Sequence, residues 1–150
     1  MHISDAGLSL IRTFEGLSTK AYKCPAGVWT IGYGHTAGVK AGQVITEKQA
    51  EELLKRDLQK YEKAVSEYTV ESKLTQSQFD SLVSLSFNIG INAFRSSTLL
   101  SKIRMCDING AADEFLKWNK STSPDTGAKI ELKGLTLRRQ AERRLFLSES

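Results

Sequence analysis

Cysteine, histidine, proline and tryptophan are each present only twice in this 150-residue chain. Cys24 and Cys106 are too few and too far apart for a disulfide framework, so two free thiols are expected. With two histidines and neither a CxxC nor an HExxH pattern, no metal site and no cofactor is expected. No apolar run approaches the ~20 residues that a membrane-spanning helix needs. The opening residues lack a basic stretch, and Asp5 and Arg12 interrupt their apolar pattern. No secretory signal is expected from them, and the chain is expected to be made and kept in a cytoplasm unless something else releases it. Internal repeats and low-complexity segments are missing as well.

What is present fits a soluble globular protein: 40% hydrophobic and 25% charged residues. The length allows one domain, or two lobes sharing one chain, with a proper core. A formal net charge of +4 and a pI near 9.1 favour a polyanionic partner. Nucleic acid, an anionic membrane surface and a bacterial envelope polymer all qualify, and charge alone does not choose among them.

Ile3, Leu8, Ile11 and Phe14 recur at helical spacing, with Ser4 as the expected N-cap and Gly16 as the stop. Residues 20 to 45 read as a glycine-rich β-hairpin region turning at Pro25-Ala26-Gly27. Thr46-Glu47-Lys48-Gln49 is a capping box opening a helix to Tyr68, whose apolar set is Ala50, Leu53, Leu54, Leu58, Tyr61, Val65 and Tyr68. That helix is roughly 30 Å long, enough to join two lobes. A second capping box, Thr75 to Gln78, opens a helix that Asn88-Ile89-Gly90 stops. Residues 93 to 104 and 107 to 118 read as two further helices, Asp107 or Asn109 capping the second. Cys106 falls on this apolar stretch and is expected to be a core residue. Asn119 to Lys133 reads as a loop, and Leu135 to Leu147 as the last helix. The fold class is α+β, mainly helical: a β-rich lobe at about 16–45, an inter-lobe helix at about 46–68, and a helical lobe at about 74–150 that includes the N-terminal helix.

The chemistry-bearing residues gather in Phe14 to Thr36. Glu15 ends an apolar helix face; a carboxyl group held against apolar walls keeps its proton to higher pH and can donate it. Eight residues separate Glu15 from Cys24, and five more separate Cys24 from Thr30. Taken singly, each has a bland reading: a solvated helix-end glutamate, a small buried thiol, a good β-former. Asp57 sits in the apolar stripe of the long helix, where a charge needs a partner, and His35 is the expected one.

The spacing Glu-x8-Cys-x5-Thr resembles the catalytic pattern of the phage-type lysozymes, the endolysins of glycoside hydrolase family 24. The resemblance runs along the whole chain. Thr30-Ile31-Gly32-Tyr33-Gly34-His35 is similar to the family's T-x-G-x-G-H, and Ile45-Thr46 to the start of its inter-lobe helix. Phe87-Asn88-Ile89-Gly90 is similar to F-N-x-G, and Gly134 to Glu142 to the closing G-L-x-x-R-R-x-A-E. The resemblance implies a lysozyme-like fold. It also implies cleavage of the β-1,4 bond between N-acetylmuramic acid and N-acetylglucosamine in peptidoglycan, in a cleft between the lobes, leading to host cell lysis. Glu15 would be the general acid. Cys24, where aspartate is commoner, and Thr30 would place a water on the opposite face of the sugar, the inverting arrangement. Either the thiol is tuned toward thiolate or Thr30 does most of the placing, and a covalent route through Cys24 stays open. His35, Thr36 and Phe87 would line the substrate site. Arg139 would pair with the catalytic glutamate, and the family pairs the positions of His35 and Asp57. A monomer is implied, held in the host bacterial cytoplasm until released to the peptidoglycan layer, with a holin for membrane passage.

Three other classes compete. A nucleic-acid binder would use the basic cluster at 138 to 144, but no aromatics interleave with it as a stacking platform requires, and Glu142 and Glu149 dilute it. Without the family, Arg139 would read as one solvated charge among its neighbours. A lytic transglycosylase would use Glu15 alone and leave a 1,6-anhydro end. A catalytically silent wall-binding module is disfavoured by the intact triad spacing.

Overall fold

The computed structural model describes residues 1–123 and 125–148; Pro124, inside the expected loop, and Glu149, beside the basic cluster, lie outside them. The element order is α1 (Asp5–Glu15), β1 (Ser18–Lys23), β2 (Trp29–Gly32), α2 (Glu47–Tyr68), α3 (Gln76–Ile89), α4 (Ile91–Arg95), α5 (Thr98–Arg104), α6 (Ile108–Phe115), β3 (Lys120–Thr122), β4 (Lys129–Glu131) and α7 (Lys133–Leu147). Each strand pair forms its own two-stranded antiparallel sheet. This is the α+β, mainly helical class expected. The chain forms two compact units, one of residues 11–60 and one of residues 1–10 with 61 onward.

In the 11–60 unit the hairpin is set by its turn. Gly27 N–H bonds to the Cys24 carbonyl at 2.8 Å and Cys24 N–H to the Val28 carbonyl at 3.0 Å, leaving Pro25-Ala26-Gly27 as a three-residue loop. Proline presets the first turn position, and Gly27 takes the left-handed φ of 81° that closes such loops. A second, tighter reversal follows β2: Ile31 and His35 exchange both backbone bonds at 2.9 Å, with Gly32 and Gly34 at φ 68° and 86°. The alternation of glycines in Thr30 to His35 is therefore a turn requirement. Buried apolar side chains here are Ile11, Ala21, Ile31, Tyr33, Ala50, Leu54 and Leu58. The Thr46 capping box forms as read: Thr46 N–H donates to Gln49 Oε1 at 2.9 Å and Gln49 N–H to Thr46 Oγ1 at 3.1 Å.

The other unit is built around α3, buried without a break from Phe79 to Ser86. Its second capping box, on Thr75, also forms. The helix packs chiefly on α7, and α6 packs on α5 and α7. Around it Phe94, Leu99, Leu100, Ile103, Phe115 and Phe146 fill the interior.

Several expectations are corrected here. Ser4 precedes α1, but its hydroxyl and N–H both donate to the buried Asp80 carboxylate instead of the side chain capping the helix. The single helix read at 93 to 104 is two: Ser97 Oγ accepts from Leu100 N–H at 3.1 Å, starting α5 afresh. Serine side chains offer the backbone that alternative to helix continuation. Cys106 is exposed and adopts φ 60°. It occupies the left-handed position of a Schellman turn ending α5, with Cys106 N–H bonded to Ile103 O at 3.0 Å and Asp107 N–H to Lys102 O at 2.9 Å. Of the two candidate caps for α6, Asp107 is used, accepting from Gly110 N–H at 2.9 Å. The helix read at 107 to 118 is Ile108–Phe115, and α7 begins two residues before the expected Leu135. Within the expected loop at 119 to 133, Lys120 pairs with Glu131 and Thr122 with Lys129 in a small hairpin exposed on every residue. Its lack of buried alternation is why periodicity could not reveal it.

Candidate active site

Glu15, Cys24, Thr30, His35, Thr36 and Asp57 all belong to the 11–60 unit; Phe87 and Arg139 belong to the other. Glu15 is the last residue of α1 and half-buried. A Cβ placed on Gly34 would stand 3.5 Å from Glu15 Oε1, so the carboxyl lies against the bare backbone of the turn after β2. Gly34 matters to the site for that reason, and the motif spelling was the only sequence sign of it.

Cys24 and Thr30 are joined by the hairpin register. Tyr22 pairs with Thr30 and Lys23 with Trp29. Cross-strand partners share a face and neighbours alternate, so Cys24 and Thr30 fall on one side, with Ala21 and Ile31 on the other. The Cys24 thiol is pulled below the ordinary thiol range by hydrogen bonds from the backbone N–H groups of Val28 and Ala26; partial burial opposes them, and the Thr30 hydroxyl adds to them. Thr30 Oγ1 also lies 3.1 Å from the Val28 carbonyl, so its single proton serves either that oxygen or the sulfur. An acceptor side chain opening a turn takes the N–H two residues on, as aspartate does in an Asx turn. Both cysteine and aspartate can therefore occupy position 24.

His35 is held at both ring nitrogens. Nδ1 lies 2.8 Å from Asp57 Oδ2 and Nε2 2.9 Å from the Ala37 carbonyl. Both partners only accept, so a doubly protonated ring satisfies the two at once. The expected partner of Asp57 is thus present, tying the turn to α2. Asp57→Asn is expected to lower stability by about 1–3 kcal/mol, measured by urea unfolding. In a His35→Asn background the same change should cost clearly less, since the coupling is lost. Thr36 is exposed beside this pair.

Phe87 is half-buried and meets Tyr61 edge-to-face at 5.2 Å. Arg139 is fully buried on α7, its Nε 2.6 Å from Glu142 Oε1 and its Nη2 3.0 Å from Oε2. Arg138, 4% exposed, joins the same carboxylate at 3.3 Å. The solvated-charge reading of this cluster is corrected for both residues. Arg143 pairs with Asp113 at 3.0 Å. The run at 138 to 144 is therefore no continuous basic surface. Among the described residues no group of histidine, cysteine, aspartate or glutamate is placed to hold a metal ion.

A helix-end carboxyl thus lies beside a glycine turn, and a thiol and a hydroxyl share one hairpin face. The phage lysozyme family profile matches residues 12–142, and the chain belongs to that family. It is 49% identical over 148 residues to an endolysin of Acyrthosiphon pisum secondary endosymbiont phage 1, the match covering 99% of both chains. An endolysin of Salmonella phage P22 is 42% identical over 154 residues, again covering 99% of each. Among solved structures, the muramidase domain of SpmX from Asticaccaulis excentricus superposes with a TM-score of 0.93 at 41% identity, covering 99% of this chain and 100% of that one.

Proposed function

We propose that this chain is a phage-type endolysin that hydrolyses the β-1,4 bond between N-acetylmuramic acid and N-acetylglucosamine, lysing the host cell. Peptidoglycan hydrolysis follows from the family. The finer reading gives Glu15 the general-acid role and lets Cys24 and Thr30 place the attacking water. The observation that carries it is the turn at Cys24, whose Val28 and Ala26 amides, helped by the Thr30 hydroxyl, hold the thiol below its ordinary range at the position where the family pattern puts a water-placing group. His35, Thr36 and Phe87 are proposed to line the sugar site, and Arg139 to support it. Mass spectrometry of muropeptides released from purified peptidoglycan tests the reaction. Free reducing N-acetylmuramic acid ends are expected; 1,6-anhydro ends would make the enzyme a transglycosylase and sink the hydrolytic role of Cys24 and Thr30.

The sulfur chemistry has its own test. A lowered thiol pKa keeps thiolate present to lower pH, so the rate should fall as pH drops through that value. Cys24→Asp should remain active and carry its acidic limb to lower pH, since a carboxylate ionises near ~4. Cys24→Ala should lose far more activity, the water then keeping only Thr30. A thiol reagent should inactivate, with bound oligosaccharide protecting. Because Cys106 is exposed, the experiment is run in Cys106→Ser. Near-parental rates in Cys24→Ala, with a destabilised Cys24→Asp, would remove Cys24 from the catalytic set.

Among the described residues no helix is long and apolar enough to cross a membrane. The proposed route is a host cytoplasmic phase followed by release through a holin. Co-expression with and without a holin should separate lytic from non-lytic cultures. A monomer is proposed, testable by sedimentation.

A further inference from the structure

The hairpin face that carries Cys24 and Thr30 holds one more large side chain. Tyr22 is the cross-strand partner of Thr30 and lies two residues before Cys24, so its ring is on their side of the ribbon. It is 45% exposed, as is Val28 across from Cys24. Thr30 is itself buried, so on this face Tyr22 and Val28 are what stays open. On the opposite face Ala21 and Ile31 are buried, and Trp29 is half-buried with the Lys23 ammonium 5.4 Å from its ring centre. Trp29 thus has an intramolecular partner. Among the described residues Tyr22 finds no hydrogen-bond, ion-pair or ring partner. Tyrosine suits a strand, and here nearly half of the residue stays open to solvent on the side that carries Cys24 and Thr30.

We infer that Tyr22 is a substrate-binding residue whose ring stacks on the apolar face of a pyranose unit of the glycan, seating that sugar over the side of the hairpin from which Cys24 and Thr30 act. This rests on the glycan-hydrolase reading above and deepens it. Pyranoses in β-1,4 chains present a face of axial C–H bonds, and the electron-rich face of a tyrosine ring attracts their positive edge. A rigid ring with two side-chain torsions orders at small entropic cost. The stacking contact is the same in the bound sugar and in the transition state, so it strengthens binding and leaves kcat little changed. Exposed Tyr22 is also free of the folding duties that keep Ala21 and Ile31 apolar.

The test uses a soluble tetrasaccharide of alternating N-acetylglucosamine and N-acetylmuramic acid. Affinity is read by calorimetry in the Glu15→Gln background, and kcat and KM are read on solubilised glycan strands in the active enzyme. Tyr22→Ala should weaken binding and raise KM by about tenfold, with kcat little changed, as loss of ground-state contact predicts. Tyr22→Phe and Tyr22→Trp should bind within about twofold of the parent, because the ring face survives. Tyr22→Leu should bind as weakly as Tyr22→Ala. If Tyr22→Ala lowers the unfolding midpoint, Tyr22→Thr, a good strand former, takes its place. Parental affinity in Tyr22→Ala overturns the inference, as does Tyr22→Leu binding like the parent, or Tyr22→Phe failing like alanine. These outcomes arise in an enzyme that still cleaves glycan, so they leave the hydrolase reading standing. A parent that cleaves no glycan removes both.

Discussion

Glu15→Gln is expected to lower peptidoglycan hydrolysis by ~10² or more with folding intact. The amide keeps the shape and hydrogen-bonding reach of the acid but has no proton to donate to the leaving oxygen. The site predicts that the loss falls on kcat. Glu15 lies at the last turn of α1 against the Gly34 backbone, where a side chain of the same size fits without new contacts. A general acid acts in the transition state, so kcat and kcat/KM should fall together. The complementary change is Gly34→Ala. Its added methyl would meet Glu15 Oε1 at an ordinary 3.5 Å, so the strain falls on the turn, whose φ of 86° L side chains rarely adopt. Turbidity loss of permeabilised cells and single-turnover cleavage of glycan strands measure the effect. Activity within a few-fold of parent in Glu15→Gln would reject its role as the acid.

Much of this arrangement was legible before any coordinates, because the relevant physics is local. Thr46 and Thr75 announce their helices by the residue three positions on, and both boxes form. Pro25-Ala26-Gly27 dictates a three-residue turn by proline's fixed φ and glycine's freedom at positive φ. Asp57 on an apolar stripe demanded a partner, and His35 supplies it. What escaped was decided by tertiary context or by chemistry that patterns do not encode. Cys106 looks apolar by type, yet it sits at a helix C-terminus where glycine is usual and side chains point outward. Ser97 is one more small polar residue in a helical window until its hydroxyl caps a new helix. The exposed hairpin at 120 to 131 has no buried face for alternation to report. The amides that aim at Cys24 belong to backbone, which sequence names only through the turn it forms.

The arginines of the last helix were the least legible of all, and they carry the largest expected effect on stability. Glu142 and Arg139 are fully buried and Arg138 nearly so. Glu142 Oε2 accepts from Ser84 Oγ at 2.5 Å, from Arg139 Nη2 at 3.0 Å and from Arg138 Nε at 3.3 Å. Arg138 Nη2 reaches the Ser84 carbonyl and Arg139 Nη1 the Trp118 carbonyl, both at 3.3 Å. The cluster therefore ties α7 to the buried middle of α3 and to the end of the α6 segment. Burial pushes the Glu142 carboxyl above the ordinary carboxylate range, and Arg139, Arg138 and the Ser84 hydroxyl oppose it only in part. Removing the shared anion leaves two guanidiniums in the interior without it. Breaking a buried pair in this way costs about 3–5 kcal/mol, a large share of the ~5–15 kcal/mol that keeps a domain folded. Glu142→Gln should accordingly lower stability by that amount in urea unfolding, with the slope of the transition unchanged. Replacing the whole cluster, by Arg138→Met, Arg139→Met and Glu142→Leu together, should cost less than Glu142→Gln alone, because no charge then remains to be desolvated. A loss under about 1 kcal/mol in Glu142→Gln would mean that α3 and α7 are held by their apolar contacts and that the closing motif of this family serves something other than the fold.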